Sequence, residues 1–258
     1  MKLDGRVALV TGGAGHVGRA AAEGLLELGA TVVVLDRDGA ACDAALAALG
    51  PPERLGTIVV DLEDETAVRA VPAQVAQRYG RLDVLVNNAA LVGTSDLDGW
   101  AVAFEKQSPA TWRRALEVNL TAPFVLAQAC APLLAGSGHG AIVNIASIYG
   151  VVGPQPKLYE GTAIGNPAAY GASKGGLLQL TRWLAVTLAP SVRVNAVVPG
   201  GIERGQAPEF VRRYEERTPL GRMAREEDLK GAIAYLASDL SAYVTGQALV
   251  VDGGWTAW

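Results

Sequence analysis

The 258-residue chain is poor in the residues that stapled or metal-built folds depend on. It has two cysteines, Cys42 and Cys130, and two histidines, His16 and His139. Two thiols exclude a disulfide framework and a four-cysteine zinc site. Two histidines exclude a His-rich metal cluster, so no metal is expected. Charge of one sign is also scarce: 22 Lys and Arg stand against 26 Asp and Glu, a net charge of −4 with a pI near 5.3. That balance argues against a nucleic-acid partner, which selects for a basic face. Charged residues are 19% and hydrophobic ones 50%, which excludes a disordered chain. No stretch is read as approaching the ~20 apolar residues of a membrane span. The first apolar run, residues 7–10, is too short for a secretory segment. A soluble, cytoplasmic protein without a membrane partner is therefore expected. A chain of this length can bury roughly 70–75% of its unfolded surface without staples.

Glycine is plentiful, 31 residues, but follows no Gly-X-Y period, so it punctuates a fold. Seven short apolar runs occur at residues 7–10, 31–35, 57–60, 84–86, 141–145, 192–198 and 248–251. They stop at polar or glycine signals: Thr11-Gly12, Asp36, Asp61, Asn87-Asn88, Ser147, Pro199-Gly200 and Asp252-Gly253. Runs apolar on both faces read as buried parallel strands. Helical segments lie between them at 17–28, 63–79, 111–134, 168–188 and 226–237. Gly29 and Gly80 close the first two. Pro123 and Pro132 are expected to bend or end the third. This alternation predicts an α/β fold, a doubly wound seven-stranded parallel sheet flanked by helices. With no linker or repeat, one domain is expected over 1–258, carrying long loops near 91–107, 150–167 and 201–222. Such loops are usually functional, and ligands of such sheets bind beyond the strands' carboxyl ends.

Thr11-Gly12-Gly13-Ala14-Gly15-His16-Val17-Gly18 follows the first run and opens the first helix. Glycines there let the backbone approach a pyrophosphate, and the helix N-terminus offers free N–H groups. Asp36 lies eighteen residues beyond Gly18. An acid at that place binds the adenosine ribose of NAD and repels the 2′-phosphate of NADP. Arg37 beside it could accept that phosphate, lie over the adenine, or be a solvated charge. Asp61, followed by Leu62, could meet the adenine or cap the next helix.

Tyr170 and Lys174 stand four apart on a predicted helix and so share a face. A phenol of pKa near 10 is a poor base at neutral pH, and a nearby cation favours the phenolate. Taken in order, the Gly-rich turn, Asp36, Asn87-Asn88-Ala89, Asn119, Ser147, Tyr170 with Lys174, Pro199-Gly200 and Val251-Asp252-Gly253-Gly254 resemble the short-chain dehydrogenase/reductase family over essentially the whole chain. The resemblance implies a single Rossmann domain and a nicotinamide cofactor. Tyr170 would be the general acid/base, and Ser147 would bond the same substrate oxygen. Lys174 would lower the Tyr170 pKa and hold the nicotinamide ribose. Asn119 would support a proton relay onward from Lys174. Gly12, Gly15, His16, Val17, Gly18, Asp36, Arg37, Asp61, Leu62, Asn88, Ala89, Tyr170, Lys174, Pro199, Gly200 and Ile202 would bind the cofactor, with NAD expected over NADP. The last strand often packs at a subunit interface in this family, so a homo-oligomer, tetramer or dimer, is expected.

The chain departs from the family at four places. Asn87-Asn88-Ala89-Ala90 has alanine where the family often has glycine, with only a small packing effect expected. His16 stands where the short branch has glycine; it could point outward or reach the phosphates. Arg204 stands near the place of a common threonine. It could meet the diphosphate, meet an anionic substrate, or be a surface charge. Ser147 and Tyr170 lie 23 positions apart, a wider gap than most members have. Tyr159, within that gap, lacks a lysine four positions on, at Ala163, and reads as a substrate-loop residue. The expected activity is NAD(H)-dependent interconversion of a secondary alcohol and a ketone on a small polar substrate such as a sugar, polyol or derived acid. The alternatives are a 3-oxoacyl thioester reductase and a non-catalytic cofactor-binding regulator.

Overall fold

The computed structural model describes residues 2–50, 52–93, 95–162 and 165–258, with Pro52 described by its backbone alone. Thr94, Ala163 and Ile164 of the long loops thus lie outside the described residues. The seven runs form β1 (Val7–Thr11), β2 (Thr31–Asp36), β3 (Leu55–Val59), β4 (Val84–Asn87), β5 (Gly140–Ile145), β6 (Val192–Pro199) and β7 (Ala248–Val251). They make one sheet in the order β3-β2-β1-β4-β5-β6-β7, every pair parallel. The helices are α1 (His16–Glu27), α2 (Gly39–Leu49), α3 (Glu65–Tyr79), α4 (Pro109–Leu116), α5 (Ala122–Gly136), α6 (Pro156–Tyr159), α7 (Ala168–Thr187), α8 (Pro208–Glu215) and α9 (Lys230–Ala237).

Strand side chains alternate between faces, and both faces are covered. Leu9, Val33, Leu85 and Ile142 pack with Val71 of α3, Leu126 of α5 and Leu184 of α7. Val10, Val34, Val86 and Val143 pack with Leu25 of α1 and Ile233 of α9. The order reverses at β1 and β4, so a crevice opens beyond their carboxyl ends.

Several boundaries differ from the sequence expectation. Strand β3 ends at Val59, which leaves Asp61 in the loop that follows. Strand β7 is apolar but not buried: Leu249 and Val250 remain 37% and 42% exposed on the sheet edge. Helix α2 was not expected; Asp38 caps it by accepting from the Ala41 N–H at 3.1 Å. Helices α6 and α8 lie within the 150–167 and 201–222 segments expected as loops.

The prolines do not end the third helical segment. Pro123 falls in the first turn of α5, where a missing N–H is tolerated, and Pro132 lies within α5. Between α4 and α5 the chain makes a π-helical turn, Glu117–Thr121, with the Ala122 N–H donating to the Glu117 carbonyl. The result is a continuous helix, Pro109–Gly136, with a mean hydropathy of 1.5 in its most apolar window. By length and composition it could cross a membrane, which corrects the reading that no stretch could. Half of that window is buried in the fold, where α5 packs on α3 and the sheet.

Candidate active site

A cavity of about 770 Å³ runs along the carboxyl edge of the sheet. One end is built by the β1–α1 turn and β2. Gly12 has φ +60°, a left-handed conformation that favours glycine. A Cβ on Gly18 would stand 2.0 Å from the Gly12 carbonyl oxygen. Gly18 therefore packs under the turn and does not line the cavity, whereas Gly12, Gly15, His16 and Val17 do. The N-cap of α1 is Gly15, which has no side chain to cap with, and no acid occupies the first turn. The N–H groups of His16, Val17 and Gly18 consequently have no partner among the described residues. The free donors of His16 and Val17, which line the cavity, and the helix dipole form an anion seat, the fit a dinucleotide diphosphate requires.

Asp36 ends β2 and lines the same cavity with Arg37. Its carboxylate accepts from the N–H groups of Ala14 at 3.3 Å and Arg37 at 2.8 Å. Asp61 accepts from the Glu63 N–H at 3.0 Å, turning the chain toward α3, and also lines the cavity with Leu62. Asp61 is not the cap of α3: that place is taken by Asp64, whose carboxylate accepts from the Ala67 N–H at 3.0 Å. Asn88 sits at the crevice, but its amide donates to the carbonyls of Thr11 at 2.9 Å and Gly12 at 3.1 Å. Its side chain braces the glycine turn rather than reaching into open space. Ala89 lines the wall beside it.

The other end is built from β5 and α7. Ser147 follows β5 and caps a 3-10 turn, its Oγ accepting from the Tyr149 N–H at 3.2 Å. The same hydroxyl interacts with Tyr170 on α7. Desolvation pushes the Tyr170 phenol above its ordinary value, the Ser147 hydroxyl opposes that shift, Tyr159 adds to it and Arg204 opposes it. Lys174 lies one turn on, its Nζ 5.9 Å from the Tyr170 ring centre and donating to the Ile145 carbonyl at 2.7 Å. Burial lowers the Lys174 pKa to about 8. The expected depression of the Tyr170 pKa by Lys174 is therefore not what this geometry gives. Burial sets the direction of the Tyr170 shift, Lys174 is not among the groups that move it, and the ammonium is turned toward a backbone carbonyl.

Asn119 does not line the cavity. It is fully buried in the π-helical turn, where Oδ1 accepts from the Leu91 N–H at 2.7 Å. Its Nδ2 donates to the Leu91 carbonyl at 3.0 Å and to Ser173 at 3.1 Å. It ties the loop after β4 to α7. Pro123 has no N–H to give the Asn119 carbonyl in α-helical register. Pro199, Gly200 and Ile202, beyond β6, complete the cavity's middle.

Sequence reasoning missed most of the wall facing Tyr170. Tyr159 of α6 meets Phe210 of α8 with ring centres 5.5 Å apart, and Phe210 meets Tyr214 at 6.0 Å. The Tyr149 and Tyr159 hydroxyls share a hydrogen bond of 2.7 Å, and Asn166 interacts with both. Burial raises the pKa of each of these two phenols. Arg213 of α8 donates to the carbonyls of Glu160 at 2.6 Å and Lys157 at 3.3 Å, joining the two long segments. The signal that could have found this wall is the aromatic spacing Phe210 and Tyr214, four apart, after the Pro208 helix start.

The family model adh_short_C2, described as enoyl-(acyl carrier protein) reductase, matches residues 12–256. A cis-4-hydroxycyclohexanecarboxylate dehydrogenase of Sinomonas cyclohexanicum is 38% identical over 257 residues, covering 98% of this chain and 97% of that one. A 3-oxoacyl-(acyl-carrier-protein) reductase FabG of Thermotoga maritima is 35% identical over 262 residues, covering 98% and 99%. The solved gluconate 5-dehydrogenase of Burkholderia cenocepacia J2315, in complex with NADP and tartrate, superposes with a TM-score of 0.88 at 31% identity, covering 100% and 97%. The chain belongs to the short-chain dehydrogenase/reductase family, with its Rossmann fold. It is an oxidoreductase acting on CH–OH groups with a nicotinamide cofactor.

Removing the Asn119 amide strips the buried Leu91 N–H and carbonyl of their partner. Asn119→Ala is expected to lower the unfolding free energy by roughly 1–3 kcal/mol, measured by urea denaturation. A midpoint and slope equal to wild type would contradict the clamp.

Proposed function

We propose that the chain interconverts a secondary alcohol and a ketone with NAD(H), on a polar substrate such as a sugar, polyol or derived acid. The observation that carries this reading is one continuous cavity with an anion seat and Asp36 at one end and Tyr170, Ser147 and Lys174 at the other. His16, Val17 and the glycine turn would hold the diphosphate, with Gly18 keeping the turn closed. Asp36 would hold the adenosine ribose. Lys174, Pro199, Gly200 and Ile202 would flank the nicotinamide half. When bound, the nicotinamide supplies the hydride acceptor or donor.

The chain's own residues do the rest. In oxidation, Tyr170 as phenolate takes the hydroxyl proton while hydride leaves the carbinol carbon. In reduction, the phenol returns the proton to the substrate oxygen. Ser147 bonds that oxygen and stabilises its developing charge. Lys174 exchanges protons along a path that the turn carrying Asn119 would support. The paired hydroxyls of Tyr149 and Tyr159 with Asn166 suit a substrate carrying further hydroxyls. The Sinomonas and Burkholderia relatives, by name, act on hydroxylated carboxylic acids, which supports the derived-acid class. The Thermotoga relative favours a second reading, reduction of a 3-oxoacyl thioester. The apolar, exposed edge of β7 supports a homo-oligomer.

Four measurements test these points. Tyr170→Phe is expected to lower turnover roughly 10²–10⁴-fold, assayed by NAD⁺ reduction over sugars, polyols, hydroxy acids and 3-hydroxyacyl thioesters. Because the Tyr170 pKa is raised, the phenolate fraction grows only as pH climbs. Oxidation should therefore speed up from neutral to alkaline pH and reduction slow at the alkaline end. Undiminished turnover by Tyr170→Phe contradicts the assignment. Wild type should bind NADH more tightly than NADPH, and Asp36→Asn should shrink that preference, read by cofactor fluorescence. Tighter NADPH binding by wild type contradicts the Asp36 reading. Light scattering should give a mass at least twice 26.7 kDa; a monomer removes the oligomer.

A further inference from the structure

The wide gap between Ser147 and Tyr170 holds helix α6, which cannot stand on its own. It has four residues, Pro156–Tyr159, and no side chain caps its start at Gln155. A single helical turn is unstable in water without tertiary partners. Helix α8 supplies partners. Leu158 is buried in a cluster with Phe210 and Tyr214, and the Tyr159 ring meets that of Phe210 at 5.5 Å. Arg213 stands three residues past Phe210 on the same helix and so shares its face. It reaches the carbonyl end of α6. Its Nη1 donates to the Glu160 carbonyl at 2.6 Å, with the carbonyls of Lys157 at 3.3 Å and Leu158 at 3.5 Å alongside.

No carboxylate pairs with Arg213 among the described residues, whereas its neighbour Arg212 pairs with Glu216. The guanidinium is committed to the last carbonyls of α6, which no helical N–H can satisfy. Arg213 does not line the cavity, but Tyr159 does. The Tyr159 hydroxyl pairs with that of Tyr149 at 2.7 Å and interacts with Asn166. Tyr159 also stands near enough to Tyr170 to act on its charge. One substrate can therefore place its carbinol at Tyr170 and a second oxygen at Tyr159.

Resting on the alcohol–ketone reading above, we propose that Arg213 is a positioning residue for substrate choice: from outside the cavity it sets the Tyr159 hydroxyl against a substrate oxygen beyond the reacting carbinol. The class this selects is a polyhydroxylated alcohol or hydroxy acid over a plain secondary alcohol. Without the clamp, α6 is held by apolar contacts alone and the hydroxyl loses its fixed place. Tyr170 and Lys174 on α7 and Ser147 after β5 keep theirs. All three contacts come from one nitrogen, so Arg213→Lys retains part of the clamp.

Two readouts on the full chain test this. Amides of residues 157–160 should exchange hydrogen roughly 10-fold faster in Arg213→Gln than in wild type, with Arg213→Lys between them. Equal exchange overturns the clamp, and this readout needs no substrate. NAD⁺ reduction is then measured with ribitol, gluconate and cyclohexanol. The ratio of kcat/KM for ribitol or gluconate to that for cyclohexanol should fall roughly 3–10-fold in Arg213→Gln, chiefly through KM, and recover in part in Arg213→Lys. Tyr159→Phe keeps the ring contact and should lower the same ratio. Adding Arg213→Gln to Tyr159→Phe should lower it by less than about twofold more. A ratio unchanged in Arg213→Gln overturns the proposal, because a merely structural role weakens all three alcohols alike. Fully additive losses also overturn it, since Arg213 would then not act through Tyr159. Wild type that oxidises no alcohol offered is a separate outcome. It contradicts the alcohol–ketone reading itself, while the exchange rates still decide the clamp.

Discussion

Buried hydrogen bonds decide where helix α7 lies, and the reactive end of the cavity depends on that docking. Asn87 of β4 donates to Asn144 of β5 at 2.8 Å, and Asn144 donates to Thr181 of α7 at 2.9 Å. Thr181 is seven residues past Lys174, on the same helix face. From the other side, Asn119 reaches Ser173. A helix packed on a sheet by apolar contacts alone could slide by part of a turn. Polar partners buried at 0–3% exposure cannot slide without stranding donors and acceptors. The register they fix brings Tyr170 to Ser147 and buries Lys174 under Ile145. The pKa shifts of both residues follow from that burial.

The substrate end is assembled differently. Helices α6 and α8 are short and lie outside the sheet, and they stand together through the Tyr159–Phe210 contact and the carbonyls held by Arg213. Separate loops would leave these aromatics in water. Joined, they form one wall, and Tyr159 of α6 pairs its hydroxyl with that of Tyr149 in the turn after β5. Substrate choice and proton transfer are therefore supported by different parts of the fold: an adaptable wall and a helix held by buried polar bonds.

Much of this was legible because the strands are buried on both faces, and such runs can be read without a partner. The polar stops after them located the carboxyl edge, and with it Asp36, Ser147 and the glycine turn. Tyr170 and Lys174 followed from helical spacing. Less visible were the elements whose stability is tertiary. Helix α2 is nearly all alanine and leucine and shows no clear period, while α6 and α8 exist through contacts with each other. Strand β7 reads like a core strand and is an edge. Gly18, Asn88 and Asn119 were assigned to the ligand or its chemistry by resemblance. Their side chains or Cβ positions hold the backbone that surrounds the ligand site, a role that residue type does not reveal.

The central claim is that one cavity brings a dinucleotide's nicotinamide to the phenol of Tyr170. A crystal structure of the chain grown with NADH tests it most directly. The account requires adenosine at Asp36, the diphosphate on the amides of His16 and Val17, and the nicotinamide between Pro199 and Tyr170. A cofactor bound elsewhere, or bound with its nicotinamide turned away from Tyr170 and Ser147, would contradict it.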